Sequence, residues 1–160
     1  MKNMYKVAII GSFRQHLEAV QTAIKIFQHY NIINTTPIGS SIVEPGIDFV
    51  RFEDDLIEES DEVVQTITLK RIFEAGVVYV VAPSGYVGRT TCYEIGRIFQ
   101  RKMPIYFSSH PIDLPIKIPD THILNPEQLA KVILERKSVW PFFKQGCKYS
   151  KLEKEVLEIP

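Results

Sequence analysis

Two short apolar runs, Tyr5 to Ile10 and Val77 to Val81, restrict the fold more than any other feature of this chain. Both are rich in β-branched residues and neither alternates polar with apolar, so both demand burial on two faces. A parallel sheet covered by helices on each side meets that demand. Each run ends in residues suited to a sharp turn: Gly11-Ser12 after the first, and APSGYVGR (Ala82 to Arg89) after the second.

The rest of the chain supplies helices and connections. Over Arg14 to Tyr30 the apolar residues Leu17, Val20, Ile24 and Phe27 stay close to helical spacing. Ser12 followed by Gln15 has the form of a capping box at the start of that helix. Asn31 to Thr36 reads as a second, short strand, and Pro37 to Asp55 as a long loop near the active face with a strand or turn at Phe49 to Phe52. Ser60 caps a helix over Asp61 to Ala75, with Asp61 and Glu62 at its positive end and a stripe of Val63, Val64, Ile67, Leu69 and Ile72. A helix from Thr91 to Arg101 follows, then a strand at Ile105 to Phe107 and a Pro-rich connection from Pro111 to Pro119. A last short strand falls at His122 to Leu124, and Asn125-Pro126 opens a helix over Glu127 to Arg136. The alternation predicts an α/β domain with a central parallel sheet of about five strands and helices on both faces. In such sheets ligands bind beyond the carboxyl ends of the strands. The Gly11-Ser12 turn and the loop from Ala82 to Arg89 are therefore expected to face one crevice.

Composition narrows the function. The 160 residues suit a single domain, here a core of about residues 5–136 and a tail of 137–160. Nineteen Lys and Arg balance nineteen Asp and Glu, which leaves no electrostatic footprint for nucleic acid or an anionic membrane surface. No segment approaches the length of a membrane span, and the N-terminal run reads as a strand and not a signal peptide, so the expected location is the cytoplasm. The charge balance permits self-association. Trp140, Phe142, Phe143 and Tyr149 in the tail call for burial against the domain or another subunit, so a homo-oligomer is expected. Cys92 and Cys147 lack CxxC spacing, and His29, His110 and His122 lack ligand spacing; no metal and no cofactor is expected. Cys92 sits near a helix N-terminus, a placement that lowers a thiol pKa, but without a sequence partner it reads as a buried structural thiol. His16 reads as a surface histidine one turn into the first helix.

Candidate chemistry concentrates in VVYVVAPSGYVGRTTCYEIGRI, Val77 to Ile98. A strand hands a glycine loop to a helix that carries Glu94. Gly85 and Gly88 allow the backbone to approach a ligand or to take positive φ, and exposed N–H groups at the helix start suit anionic or hydroxyl-rich ligands. Gly96 leaves room for close helix packing or for a sugar ring beside Glu94. Structural alternatives compete with each role. Thr91 and Glu94 have capping-box spacing, and Glu94 with Arg97 fits a solvent-facing i,i+3 pair. Ser12 and Phe13 serve either the crevice or, respectively, a helix cap and the core. Tyr86 stacks on a base or stands exposed in its loop, and Arg89 holds a phosphate or is simply solvated.

The segment GYVGRTTCYEIGR resembles the signature region of the nucleoside 2-deoxyribosyltransferase-like superfamily, in which a Gly-Thr stretch precedes a Glu-x-Gly-x-Ala motif. The start, VAIIGSF, is similar to that superfamily's first strand and sugar-binding turn, and element order agrees from about residue 5 to 136. The resemblance implies a flavodoxin-like or Rossmann-like three-layer sandwich that binds a nucleoside or nucleotide. It implies Glu94 as the nucleophile at C1′, through an oxocarbenium-like transition state and a glycosyl-enzyme ester. Gly11, Ser12, Phe13, Ser84, Gly85, Tyr86, Gly88, Arg89 and Thr90 would line the substrate site. It also implies oligomers in which a neighbour completes the pocket. Two positions depart from the pattern: the loop before the glutamate carries no aspartate, and Arg97 stands where the motif closes on alanine. The leaving base needs a general acid, for which Asp48, Asp54, Asp55 and Tyr86 are the candidates.

Two functions stay open on these residues. One is cleavage or deoxyribosyl transfer at the N-glycosidic bond. The other is a catalytically inactive nucleoside- or nucleotide-binding module that kept the fold and lost the acid. Phosphate chemistry on a receiver-like domain fits less well, because Gly11-Ser12 stands where an acidic cluster would be needed.

Overall fold

The computed structural model describes residues 5–37, 42–45, 50–52, 60–141 and 151–156. Its centre is a four-stranded sheet of β1 (Lys6–Gly11), β2 (Ile33–Thr36), β5 (Val77–Val81) and β6 (Ile105–Phe107), in the order β2-β1-β5-β6, with every pair parallel. The two apolar runs are the paired central strands: Val7 lies opposite Val77 and Gly11 opposite Val81. All five residues of β5 are buried, which is why its sequence does not alternate.

The side chains of these strands divide between two cores. Val7, Ile9, Val77, Tyr79 and Val81 pack with α1 (Phe13–His29) and α4 (Pro126–Leu134). Ala8, Ile10, Val78 and Val80 pack with α2 (Asp61–Glu74) and α3 (Arg89–Gln100). The result is a three-layer α/β sandwich consistent with a Rossmann-like fold. Between β2 and α2 the strands β3 (Ile42–Pro45) and β4 (Val50–Phe52) pair antiparallel as a separate two-stranded sheet. The strand expected at Phe49 to Phe52 thus begins at Val50, with a hairpin partner that the sequence did not announce.

Helix ends follow their local chemistry. Ser60 accepts from the Val63 N–H at 3.4 Å at the start of α2. Asn125 and Gln128 form a reciprocal capping box at α4, with Pro126 in its first turn. Ser12 is the N-cap of α1, but its side chain makes no cap hydrogen bond, so no capping box forms with Gln15. Of the stripe expected on α2, Val64, Leu69 and Ile72 are buried, whereas Val63 is exposed.

Three expectations are corrected. Among the described residues the parallel sheet has four strands, not about five. Of the segment read as a last strand, His122 to Leu124, His122 closes a 3-10 turn (Asp120–His122) and Ile123 makes a single bridge to Phe107. The turn before Ile123 and the Asn125-Pro126 cap after it leave too little chain for a strand. His122 is buried, stacked on Tyr106 at 4.4 Å, with Nδ1 2.8 Å from the Ile105 carbonyl oxygen. The third correction concerns α3, which begins at Arg89 behind the N-cap Gly88 and not at Thr91.

In the tail, Trp140 is buried with its ring edge-on to Phe99 at 6.4 Å, and α5 (Lys151–Val156) leaves Leu152 and Val156 exposed. Phe142, Phe143, Cys147 and Tyr149 lie outside the described residues. Among those described, no helix is long and apolar enough to cross a membrane.

Candidate functional site

β1 and β5 deliver their turns side by side. Gly11 lies in register with Val81, and a Cβ at Gly11 would run into the Val81 carbonyl oxygen, so only glycine lets the two strand ends meet. Beyond them, an atom added at Gly88 would stand 3.7 Å from the Ser12 Oγ. The N-caps of α1 and α3 are therefore neighbours, and the crevice expected from the sequence brings Gly11, Ser12 and Gly88 together.

The loop between β5 and α3 is held in an unusual shape. Ser84 has φ of 59° and Gly85 of 82°, both in the left-handed region. The Gly85 N–H donates to Ala82 O at 2.8 Å, and its carbonyl accepts from the Ile112 N–H at 3.0 Å. A Cβ at Gly85 would strike the His110 carbonyl oxygen, which fixes this position as glycine. Ser84, Tyr86 and Arg89 are exposed, Gly85 is buried, and Thr90 and Phe13 are half-buried, Phe13 against the α1 core. One carboxylate ties the loop from outside. Asp113 Oδ2 accepts from the Val87 and Gly88 N–H groups at 3.4 and 3.3 Å. Asp113 went unnoticed in the sequence because the Pro-rich connection offers no periodicity to read.

Glu94 is only 6% exposed. Because α3 begins at Arg89, Glu94 lies past the first turn, and the capping box with Thr91 does not form; Thr91 is itself buried within the helix. Nor does Glu94 pair with Arg97, whose Nη1 donates to the Tyr93 hydroxyl at 3.2 Å. Its partner comes from α2: Gln65 Nε2 donates to Glu94 Oε1 at 3.1 Å. Burial pushes the Glu94 carboxyl up to about 7, against a smaller lowering by the Gln65 hydrogen bond. Gln65 was missed, though it left a signal, since it shares a helical face with Leu69 and Ile72 as the polar position of an apolar stripe.

Other expectations resolve one by one. Burial raises the Cys92 thiol, with the Asp113 charge adding to it, so the lowering expected at a helix N-terminus does not hold. Gly96 faces open space, with nothing within 4 Å of an added Cβ, so it mediates no close helix contact. Asp48, Asp54 and Asp55 lie outside the described residues. His16 is half-buried, not a surface histidine, and its ring meets Tyr86 edge-on at 6.2 Å.

The structure thus brings Gly11, Ser12 and Gly88 together at the strand ends, and holds a buried, readily protonated carboxyl, Glu94, against Gln65 on the α2–α3 side of the sheet. A buried carboxyl pushed to about 7 can exchange a proton near neutral pH. Compared with known proteins, the chain matches no protein-family model, no curated protein and no solved structure.

Proposed function

We propose that this chain acts on the N-glycosidic bond of a nucleoside or nucleotide, with Glu94 as the nucleophile at the anomeric carbon. The observation that carries the proposal is the Gln65–Glu94 hydrogen bond. Glu94 is buried and accepts a hydrogen bond from a side chain of another helix.

Ionised Glu94 would oppose the positive charge that builds on the sugar as the base departs, then form the ester as the glycosidic bond breaks. With a carboxyl pushed to about 7, roughly half is ionised near neutrality. A sugar carrying positive charge favours that ionised form. The base leaves on protonation of its nitrogen. Tyr86 is the described candidate acid, while Asp113 already accepts two loop amides. Water resolving the ester gives cleavage, and a second base gives transfer. Exposed Tyr93 and Ile112 supply apolar surface for the proposed self-association, read by sedimentation.

A second reading has its own support. The loop Ser84 to Arg89 contains no carboxyl, so the chain also fits a binding module that does not turn over its ligand. Incubation with deoxynucleosides and nucleotides, with and without an acceptor base, separates the two. The enzyme releases free base, and Glu94→Ala abolishes it. Saturable binding without product in either protein refutes catalysis and leaves the module.

A further inference from the structure

Overall neutrality conceals a separation of charge. In a parallel sheet every strand starts at one end, and each helix that returns the chain to that end finishes there. α2 finishes on Arg71 and Glu74, and α3 has Arg97 in its last turn with Arg101 and Lys102 just beyond. α4 has Lys131 in its last turn with Glu135, Arg136 and Lys137 beyond, and Lys6 opens β1. Over the last helical turns, the three residues past each and the strand starts, eight cations against two carboxylates leave +6. Among the described residues, the first turns at the other end carry Arg14 and Arg89 against Asp61, Glu62 and Glu127.

Contacts across these ends make them one surface. The Gly76 N–H after α2 donates to the Lys6 carbonyl oxygen at 3.1 Å, and the Arg101 guanidinium lies 4.2 Å from the centre of the Phe73 ring in α2. Arg136 stands 5.9 Å from the centre of the Tyr5 ring, and the Tyr5 carbonyl accepts from the Ile33 N–H at 2.9 Å at the start of β2. Arg97, Arg101, Lys131, Arg136 and Lys137 are all exposed. Helix dipoles are too small to absorb this charge. Each helix C-terminus carries about −0.5, so four of them offset only about two of the six charges. Apolar side chains share the surface: Ile33, and Val139 two residues past Lys137, are each 44% exposed. A nucleic acid would meet the cations with its phosphates and leave Ile33 and Val139 unused. An anionic bilayer meets both, with headgroups for the cations and an acyl boundary for the apolar pair.

We propose that this end of the domain is a docking surface for an anionic phospholipid bilayer, held by the cations at the helix ends with Ile33 and Val139 at the acyl boundary. The opposite end, with Gly11, Ser12 and Gly88, then faces the solution. The proposal does not rest on the reaction assigned to Glu94.

The test is co-sedimentation of the full chain with phosphatidylcholine vesicles containing about 30% phosphatidylserine, beside pure phosphatidylcholine vesicles and a random-sequence DNA duplex. The chain is expected to sediment with the anionic vesicles and to stay in solution with the neutral ones. Lys131→Gln with Lys137→Gln removes two exposed charges and should weaken binding about thirtyfold, at about fivefold per charge. Arg14→Gln removes a charge from the opposite end and should leave binding unchanged. Val139→Ser should weaken it severalfold by removing apolar surface. The proposal is overturned by any of four results: equal sedimentation with the two kinds of vesicle, a loss for Arg14→Gln as large as for the α4 pair, indifference to Val139→Ser, or tighter binding to DNA than to the anionic vesicles. The lipid and DNA comparisons use the unaltered chain, so they decide the matter even where a variant loses its folded spectrum. Failure here leaves the Glu94 assay untouched, and failure there leaves this surface standing.

Discussion

Glu94 ties the site to the stability of the protein. Its folded value of about 7 lies above the ordinary 4.5, so the folded state holds this proton more tightly than the unfolded one. The associated stability is complete below pH 4.5 and is lost as pH rises towards 7. Glu94→Gln removes the titration. Its stability relative to wild type should therefore improve by up to about 3 kcal/mol between pH 4 and pH 8. Urea denaturation at the two pH values measures this, and a constant difference would contradict the assignment. Gln65→Leu deletes the hydrogen bond that favours the ionised carboxylate, so Glu94 should titrate higher still, as read from its side-chain ¹³C shift. At this scale the sequence was informative about residue type and poor about contact. Glu94 stood out beside a glycine loop, but its partner is 29 positions away, and nothing in either local stretch encodes the pairing.

Among the elements, the loop between β5 and α3 is the most constrained. Gly85→Ala brings a Cβ against the His110 carbonyl oxygen and the Ile112 side chain at φ of 82°, and should cost about 1–3 kcal/mol. Gly96→Ala offers the contrast. It sits in the interior of α3 facing open space, so alanine should add about 0.5–1 kcal/mol by helix propensity. Equilibrium unfolding of the two variants gives opposite signs if the loop geometry is correct. Strand and helix identities were readable because the central strands are buried on both faces and α1 keeps its apolar period. Boundaries were less so. Thr91 resembled a cap because threonine commonly is one, yet Gly88, adjacent to Ser12, lets the helix begin two residues earlier. The last expected strand failed because flanking turn chemistry outweighed the extended preference of Ile123 and Leu124.

For the molecule as a whole, Trp140 reports on how the tail joins the domain. It is the single tryptophan of the chain and is buried beside Phe99 of α3. Its fluorescence should follow the same denaturation curve as the far-ultraviolet circular dichroism, since the tail's attachment forms part of one cooperative unit. An earlier fluorescence transition would mean that the tail detaches first. Trp140→Ala should destabilise the protein by about 3 kcal/mol. The sandwich was legible from burial demand alone, whereas which face carries Glu94 was not, because that depends on side chains from distant segments.

The alignment of Gly11 with Val81 carries a consequence for how ligands are detected. The two strand ends come from opposite sides of a long intervening stretch of chain, and they meet only when the central pair of strands has zipped. Neither half of the crevice exists as an isolated peptide. Occupancy and global folding are therefore one linked equilibrium, and any molecule that settles there should lift the melting temperature of the entire domain in proportion to the logarithm of its concentration.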